Sequence, residues 1–282
     1  MTNLEHIKIA AFDLDDTVLL QGQMTSTVKK ALTELKAKGL ILVVATARDI
    51  CQIPKSVLDI FDYKITSNGA SIVDKDNNQI STSPLDSTTA IKALEILKIS
   101  CGYTCLYCNG SVVATPFFLL RLLTRTKYKR NKNKEDSWAK GSKKLSFNLK
   151  KYINKNNATV FRIQSFCKNS MYAEIAVKLL KNRTDVCPIL GNDNSIETTA
   201  ANVTKANALE KLCKDLNLDT NALIAFGDSA NDYDMLKMAG FSVAMGNATS
   251  KLKDISNYIT DPVTQDGAAK AINYLFLQKN PQ

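Results

Sequence analysis

The stretch KIAAFDLDDTVL, residues 8–19, joins a short apolar run to three closely spaced carboxylates. The run over residues 7–12 carries little charge, which is typical of a strand buried on both faces of a parallel sheet. It ends in Asp13, Asp15 and Asp16, and like charges at this spacing repel one another unless a cation lies between them. Open α/β sheets bind ligands at the carboxyl ends of their strands. The stretch therefore predicts a divalent-metal site with a carboxylate nucleophile beside it.

Two aspartates separated by one residue suit a two-step displacement at phosphorus. Asp13 would attack the phosphorus atom and become an aspartyl-phosphate, which divides one difficult displacement into two easier ones. Asp15 would protonate the leaving oxygen and later accept a proton from the hydrolytic water. Mg²⁺ is the cation that such carboxylate oxygens favour. The alternative is a plain acidic loop in which Asp16 or Thr17 caps a turn.

Further polar side chains follow short apolar runs downstream. A helix over 27–38 and a strand over 40–45 complete a βαβ unit, and Thr46 follows that strand. Lys205 opens a later helix, where a cation is unfavourable against the macrodipole unless an anion compensates it. Residues 223–232 read LIAFGDSAND, a buried strand that ends in a second acidic cluster. A metal shared between two strand ends would need such a second cluster.

In order along the chain, DLDDT, Thr46, Lys205 and GDSAND resemble the four motifs of the haloacid dehalogenase superfamily of phosphohydrolases. Because a long segment separates the second motif from the third, the chain is similar to the Cof-type branch, which carries a type IIB cap. The resemblance implies an α/β fold with a doubly wound, Rossmann-like parallel-sheet core formed by residues 1–84 and 187–282. It also implies an inserted α+β cap over residues 85–186 that selects the substrate.

The resemblance implies a role for each matching residue. Asp13 would be the nucleophile and Asp15 the acid and base. The other roles fall into four groups: Thr46, Lys205 and the amides around Leu14 as phosphate ligands; Asp13, the Asp15 carbonyl and Asp228 as metal ligands; Asn231 and Asp232 as supports for the metal and its waters; Asn68 and Gly69 as neighbours of the substrate.

Three of these positions have a plainer interpretation, and one position departs from the family pattern. Thr46 also reads as a helix N-cap, and Asn68-Gly69 as the turn of an ordinary hairpin. The family pattern has glycine where this chain has Ala47, so a positive φ there would be strained.

The resemblance implies a Mg²⁺-dependent enzyme that hydrolyses small phosphate monoesters such as sugar phosphates and phosphorylated cofactors. A phosphomutase of the same fold would keep every core motif and differ only in retaining the phosphoryl group. A non-enzymatic protein that binds nucleic acid through residues 121–155 is the other alternative, but it would not need two carboxylate clusters. A small phosphorylated metabolite therefore ranks above nucleic acid as the partner. The sequence carries no signal for an oligomeric state.

The net charge of +10 is concentrated in residues 121–155, where 13 lysines and arginines stand against two acids. The rest of the chain has a net charge of −1. This basic stretch has three interpretations: a solvated surface, a funnel that attracts anionic substrates, or a nucleic-acid site. The last would use interleaved aromatic side chains for base stacking, namely Tyr128, Trp138, Phe147 and Tyr152.

Composition excludes several other classes of protein. The chain has 282 residues, 45% of them hydrophobic, which is enough for a full globular core. The apolar run at 40–45 is too short to span a membrane, and residues 1–8 have no signal-peptide core, so a cytoplasmic protein is expected. Seven scattered cysteines indicate reduced thiols, and the cluster at 101, 105 and 108, with the only histidine remote in sequence, falls short of the four ligands of a structural zinc site. The single histidine, His6, argues against histidine-rich metal sites and histidine-based acid–base chemistry.

Overall fold

The computed structural model describes residues 4–108, 110–118, 142–191 and 194–277. The sequence also predicts a helix near 116–126. Most of this helix, and residues 121–141 of the basic stretch, lie outside the described residues. Within the described ranges the chain forms two sheets, one of eight strands and one of six. None of the described helices is both long and apolar enough to cross a membrane.

The larger sheet is built from the two ends of the chain, with strand order β14-β13-β12-β1-β2-β3-β4-β5. The six strands from β14 to β3 are parallel, whereas β3–β4 and β4–β5 pair antiparallel. The strand bounds are β1 Ile9–Phe12, β2 Ile41–Ala45, β3 Tyr63–Thr66, β4 Ser71–Val73, β5 Gln79–Thr82, β12 Leu223–Gly227, β13 Phe241–Ala244 and β14 Tyr258–Ile259.

The strand order reverses at β1, which lies between β12 and β2. Phe12 pairs with Phe226 on one side and with Val44 on the other, and all four residues of β1 are buried. The apolar run before Asp13 is therefore a central strand with neighbours on both edges, as predicted. Such a reversal leaves a crevice at the carboxyl ends of the adjoining strands, where doubly wound sheets bind ligands.

Helices flank the sheets. Their bounds are α1 Ser26–Ala37, α2 Lys55–Leu58, α3 Ser87–Ser100, α4 Leu149–Asn156, α5 Ser170–Lys181, α6 Lys205–Asp215, α7 Tyr233–Met238, α8 Ser250–Ile255 and α9 Gly267–Ile272. The helix that matters most for the site is α6, since it begins with Lys205. The hydroxyl of Thr204 accepts a hydrogen bond from the amide of Asn207 over 3.1 Å and caps this helix.

The second sheet has the strand order β10-β11-β9-β6-β7-β8 and is antiparallel except for β7–β8. Its strands are β6 Cys101–Cys108, β7 Ser111–Ala114, β8 Ser142–Leu145, β9 Val160–Cys167, β10 Val186–Leu190 and β11 Ser195–Ala200. Apolar residues on one face, such as Leu106 and Ile163, form a core with α3, α4 and α5. The α/β core and the separate α+β segment agree with the predicted fold class.

The second sheet extends further along the chain than the predicted cap. The predicted boundary at residue 187 falls inside β10, and β10 pairs with β11 as an antiparallel hairpin. In turn, β11 pairs with β9, so that Glu197 lies opposite Gln164. The sheet thus continues to Ala200. The division into core and cap stays a prediction, and a boundary at 187 would separate strands that share hydrogen bonds.

The expectation of reduced thiols throughout the chain is wrong for one pair of cysteines. Cys101 and Cys167 lie opposite each other on β6 and β9 and form a disulfide. The number and spacing of the cysteines in the sequence do not indicate this pair, because the two strands become neighbours only in the folded sheet. The other five cysteines have free thiols: Cys51, Cys105, Cys108, Cys187 and Cys213.

Candidate active site

Two carboxylates lie where the strand order of the larger sheet reverses, a position called the switch point of the sheet. Asp13 directly follows β1, and its amide donates to the carbonyl of Phe226 over 2.9 Å, which holds it against β12. Asp228 directly follows β12. A Cβ on Gly227 would lie 2.6 Å from the Cβ of Asp232, so glycine allows the loop after β12 to fold tightly. The pairing of β1 with β12 therefore brings the two predicted acidic clusters together.

A buried lysine joins the two clusters. Lys205 Nζ donates to Asp13 Oδ1 over 2.5 Å and to Asp232 Oδ1 over 2.8 Å. Only 1% of the Lys205 surface is exposed, and Asp232 is fully buried. The helix α6 thus presents its first residue to the strand ends. Two carboxylates supply the anionic partners that a lysine at a helix start requires.

Burial and mutual repulsion perturb the ionisable groups of this cluster. Burial raises the pKa of Asp13 well above its usual value, Lys205 opposes the rise, and Asp232 and Asp228 add to it. Burial likewise raises the pKa of Asp228 to about 7, with Asp232 contributing next. Burial lowers the pKa of Lys205, but its two carboxylate partners outweigh this effect and raise it overall. The cluster is held together with an excess of negative charge.

The donor atoms of the cluster suit a hard divalent cation. Asp13, Asp228 and Asp232 each offer one carboxylate oxygen, and these three atoms lie within 4.8 Å of one another. Three carboxylates against one lysine leave a net charge of −2, which a divalent cation would neutralise. All-oxygen donors are the ligands of Mg²⁺ and Ca²⁺ rather than of soft metals.

Asp232 also shapes the loop after β12. Its Oδ2 accepts hydrogen bonds from the amides of Asp228 and Ser229, each over 3.0 Å, while Oδ1 accepts from Lys205. Asp228 is held from the other side, where the hydroxyl of Thr17 donates to its Oδ1 over 3.2 Å. This contact of Thr17 with Asp228, the residue after β12, goes beyond the turn cap that the sequence suggests for Thr17. The sequence DLDDT therefore contributes to both strand ends.

Asp15 lies apart from the buried cluster and faces an arginine. Its side chain is half exposed. Arg48 Nε donates to Asp15 Oδ2 over 2.7 Å and Arg48 Nη2 to Oδ1 over 2.5 Å, a bidentate pair. Arg48 follows β2, directly beyond the Thr46-Ala47 pair. No role for Arg48 follows from the sequence motif itself, although its place after a strand that adjoins β1 is a signal that could indicate one.

The phosphate ligands predicted near β1 and β2 lie at adjoining strand ends. Thr46 is buried, and its hydroxyl accepts a hydrogen bond from the Arg48 amide over 3.1 Å. Leu14 follows Asp13 and is fully buried. Ala47 does not adopt a positive φ. Alanine in place of the family's glycine therefore causes no backbone strain at this position.

The hairpin between β3 and β4 reaches the cluster from the other side. Asn68 is fully buried, and its Oδ1 accepts from Asn231 Nδ2 over 3.0 Å. Gly69 has φ +106°, and a Cβ there would lie 2.3 Å from the carbonyl oxygen of Thr204. Only glycine fits both requirements. The predicted hairpin is confirmed, and it also contacts two elements of the site.

A second buried ion pair lies in the smaller sheet and was missed by sequence analysis. Arg162 Nη1 donates to Glu197 Oε1 over 2.5 Å, and its guanidinium stacks 3.9 Å above the centre of the Tyr107 ring. Glu197 also accepts a hydrogen bond from Asn68. This ion pair therefore belongs to the face of the second sheet that meets the core. Neither residue matched a motif.

The fold is a doubly wound α/β fold, and three carboxylates group around a buried lysine where its strand order reverses. The chain matches the haloacid dehalogenase-like hydrolase family over residues 10–272 and belongs to that family. It is 29% identical over 275 residues to the 5-amino-6-(5-phospho-D-ribitylamino)uracil phosphatase YcsE of Bacillus subtilis (strain 168), with 96% of each chain covered. It is 28% identical over 286 residues to the phosphatase YwpJ of the same organism, with 95% of this chain and 100% of that protein covered.

Solved structures show the same fold. A haloacid dehalogenase-like hydrolase from B. subtilis superposes with a TM-score of 0.82 at 23% identity, covering 96% of this chain and 100% of the other. The subclass IIB sugar phosphatase BT4131 superposes with a TM-score of 0.79 at 22% identity and the same coverage. Family and relatives together confirm the prediction of a phosphoric monoester hydrolase with a Cof-type architecture.

Proposed function

We propose that the protein is a Mg²⁺-dependent phosphatase that hydrolyses small phosphate monoesters through an aspartyl-phosphate on Asp13. The observation that carries this proposal is the position of Asp13 at the switch point, 2.5 Å from Lys205 and grouped with Asp228 and Asp232. A nucleophilic carboxylate needs to be held in place and to have the charge of its attack on a phosphate neutralised. Lys205 supplies one positive charge.

In the first half-reaction, a carboxylate oxygen of Asp13 attacks the phosphorus atom. The bond between phosphorus and the ester oxygen breaks, and Asp15 donates a proton to the departing alkoxide. Lys205, the Thr46 hydroxyl and the amides after Asp13 hold the phosphoryl oxygens. Both oxygens of Asp15 are bound by Arg48 in the structure. Proton transfer therefore requires Asp15 to exchange this contact for the leaving oxygen.

In the second half-reaction, water attacks the phosphorus atom of the aspartyl-phosphate. Asp15, now a carboxylate, accepts a proton from this water, and the bond between phosphorus and Asp13 breaks. Inorganic phosphate leaves, and Asp13 regains its carboxylate. Asp15 thus ends the cycle as an acid, ready for the next ester.

Asp13, Asp228 and the backbone carbonyl of Asp15 would hold the Mg²⁺, with Asp232 and Asn231 as supports. When bound, this cation neutralises charge on the phosphoryl oxygens and on the attacking carboxylate. The carboxylate cluster supports this role, since burial and mutual repulsion leave the pKa of both Asp13 and Asp228 raised without a cation.

The class of substrate follows from the relatives and from the second sheet. YcsE is named for a phosphorylated ribitylaminouracil, and BT4131 is described as a sugar phosphatase. We infer a small phosphorylated metabolite of this polar, hydroxyl-rich kind for this chain. The predicted cap would select among such esters through polar side chains beside the Arg162–Glu197 pair, such as Gln164.

A panel of phosphate monoesters, including sugar phosphates, phosphorylated cofactors and phosphoglycolate, tests the proposal by release of inorganic phosphate. We expect turnover with Mg²⁺, none in excess chelator, and poor turnover with Ca²⁺, whose larger and looser shell misplaces the nucleophile. Full activity in excess chelator would refute the role of a metal. Formation of an isomer without phosphate release would instead identify a phosphomutase.

A further inference from the structure

The helix α5 has two apolar faces, and only one of them is covered. The covered face packs into the core of the second sheet through Ala173, Ala176, Val177 and Leu180. Four larger apolar side chains lie on the exposed side of the same helix: Met171 (57% exposed), Tyr172 (37%), Ile175 (44%) and Leu179 (39%). We call these four residues the α5 stripe.

The α5 stripe is continuous along the helix. Successive residues of an α-helix are rotated by about 100°, so the four side chains fall within one arc of about 100°. Tyr172, Ile175 and Leu179 follow one another at i, i+3 and i+7, which is the spacing of the seam between two paired helices. A helix face that only meets water carries charged and polar residues instead.

Other helices of the molecule show such a polar outer face. The exposed positions of α6 include Lys211, Lys214 and Asp215, and those of α1 include Lys29 and Lys30. Among the described residues, twelve large apolar side chains are exposed, and four of these lie in α5. Exposed apolar side chains are ordinary when they are scattered, whereas a contiguous patch indicates an interaction surface.

The charges within α5 lie along one side of the stripe. Glu174, Lys178 and Lys181 are exposed and follow one another at i, i+4 and i+7, on the flank of the stripe that points away from the buried face. Within the described part of the chain, none of the three forms an ion pair with another residue. The acid lies in the first half of the helix and both lysines in the second half.

A second copy of the same helix complements this arrangement. Two α5 helices that meet stripe to stripe in antiparallel orientation, around a two-fold axis, carry their charged rows on the same side of the contact. With Tyr172 of one copy opposite Leu179 of the other, Glu174 of the first lies about 1.5 Å along the axis from Lys178 of the second. The two-fold axis makes this contact twice. In a parallel pair the two charged rows would lie on opposite sides and could not meet.

The stripe lies on the side of the second sheet that faces away from the candidate active site. The helix α5 packs on the sheet face that carries Ile163 and Ile196. Because side chains alternate between the two faces of a strand, the neighbouring Arg162 and Glu197 lie on the opposite face, where Glu197 contacts Asn68 of the core. A second copy can therefore cover the stripe without covering the carboxylate cluster.

We propose that the α5 stripe is a self-association surface through which two copies of this chain form a two-fold dimer by antiparallel contact of their α5 helices. The apolar side chains supply the buried area, and the contacts between Glu174 and Lys178 select the antiparallel orientation. The surface is one helix long and therefore small for a protein interface, so we expect a dissociation constant of about 10–100 μM. The dimer does not depend on the proposed reaction at Asp13.

Sedimentation velocity on the full chain, at concentrations from well below to well above this dissociation constant, tests the dimer. Ile175→Lys places a charge at the centre of the stripe and should raise the dissociation constant by about tenfold or more. Ile80→Lys is the matched control, since Ile80 is 40% exposed on β5 of the core, and it should leave the dimer intact. Circular dichroism on each variant checks that the fold is kept.

Reversing the charges tests the antiparallel contact separately. Glu174→Lys and Lys178→Glu should each raise the dissociation constant by about 3- to 10-fold, and the double reversal should restore it to within about twofold of wild type. Dimers that persist in Ile175→Lys, dimers lost in Ile80→Lys, or a double reversal as weak as either single reversal would overturn the proposal. A wild-type chain that stays monomeric at every concentration would also overturn it. If that monomer floats with vesicles of phosphatidylcholine and phosphatidylserine and Ile175→Lys does not, the stripe binds a membrane surface instead.

Discussion

Both sheets bury a basic side chain beside carboxylates, but the two clusters differ in charge balance. In the core, Lys205 lies among Asp13, Asp228 and Asp232, so negative charge exceeds positive by two. In the second sheet, Arg162 pairs with Glu197 alone, and the charges cancel.

The difference indicates what each cluster does. A buried charge without a partner is strongly unfavourable, so the core cluster is complete only with a cation. A balanced ion pair has no charge left to neutralise and serves to hold groups in place. The core cluster is therefore expected to carry the chemistry, and the pair in the second sheet to control its geometry.

The largest expected effect comes from removing the carboxylates to which the proposed mechanism assigns the reaction. Asp13→Asn should lower phosphate release by about 10³-fold or more, because the amide cannot attack phosphorus, and Asp15→Asn should fail for lack of a proton donor. Phosphate release measured beside circular dichroism separates this loss from misfolding. A variant that keeps a tenth of the wild-type rate would show that its aspartate has been given the wrong role.

Removing the basic partner from each cluster sharpens the contrast. Lys205→Met leaves Asp13 and Asp232 without compensation, so the free energy of unfolding should fall by about 3–5 kcal/mol and activity by about 10²-fold. Arg162→Met should also destabilise the protein but keep activity within about tenfold, since Glu197 is partly exposed and retains Asn68. Urea unfolding and steady-state kinetics on both variants check this. Equal losses of activity would contradict the division of roles.

The metal-free protein should become less stable as pH rises. Burial raises the folded-state pKa of Asp228 from 3.8 to about 7, and the pKa of Asp13 is also raised, so the folded chain binds protons more tightly than the unfolded chain. The free energy of unfolding should therefore fall from about pH 4 to pH 7 without metal. Mg²⁺ neutralises the cluster, so it should raise the thermal midpoint more at pH 8 than at pH 5. An equal rise of the thermal midpoint at pH 5 and pH 8 would refute a metal at these carboxylates.

The smallest expected effect concerns the basic stretch 121–155, much of which lies outside the described residues. In the test variant, five basic residues are changed to glutamine: Lys127, Lys129, Arg130, Lys132 and Lys134. The variant should have a higher KM and a weaker salt dependence of KM, with kcat unchanged. A matched control neutralises five exposed lysines of the core: Lys29, Lys30, Lys211, Lys214 and Lys251. Unchanged KM with lost binding to single-stranded nucleic acid would favour the nucleic-acid interpretation. No change in either would leave a solvated surface.

The core could be predicted from the sequence because its chemistry follows regular structure directly. Asp13 and Asp228 come immediately after buried parallel strands, and Lys205 is the first residue of a helix. Parallel strands carry their carboxyl ends to one edge, so local patterns were enough to bring these side chains together.

The second sheet could not be predicted in this way. Arg162 and Glu197 lie on β9 and β11, and only the antiparallel pairing of these strands brings them together. The stretch around Glu197 carries no motif, so the sequence places it in the predicted core at 187–282. The disulfide between Cys101 and Cys167 was missed for the same reason. Contacts that depend on strand pairing cannot be recognised from the sequence around either residue alone.

The central claim is that Asp13 takes the phosphoryl group, and a quenched single turnover tests it most directly. Wild-type enzyme, Mg²⁺ and an ester from the active panel would be stopped in acid within one turnover, and the peptide containing residues 8–19 examined by mass spectrometry. We predict an acid-stable, base-labile phosphoryl group on Asp13 of wild type and none in Asp13→Asn. Phosphate release with no phosphoryl group on this peptide, or its appearance on another residue, would contradict the account.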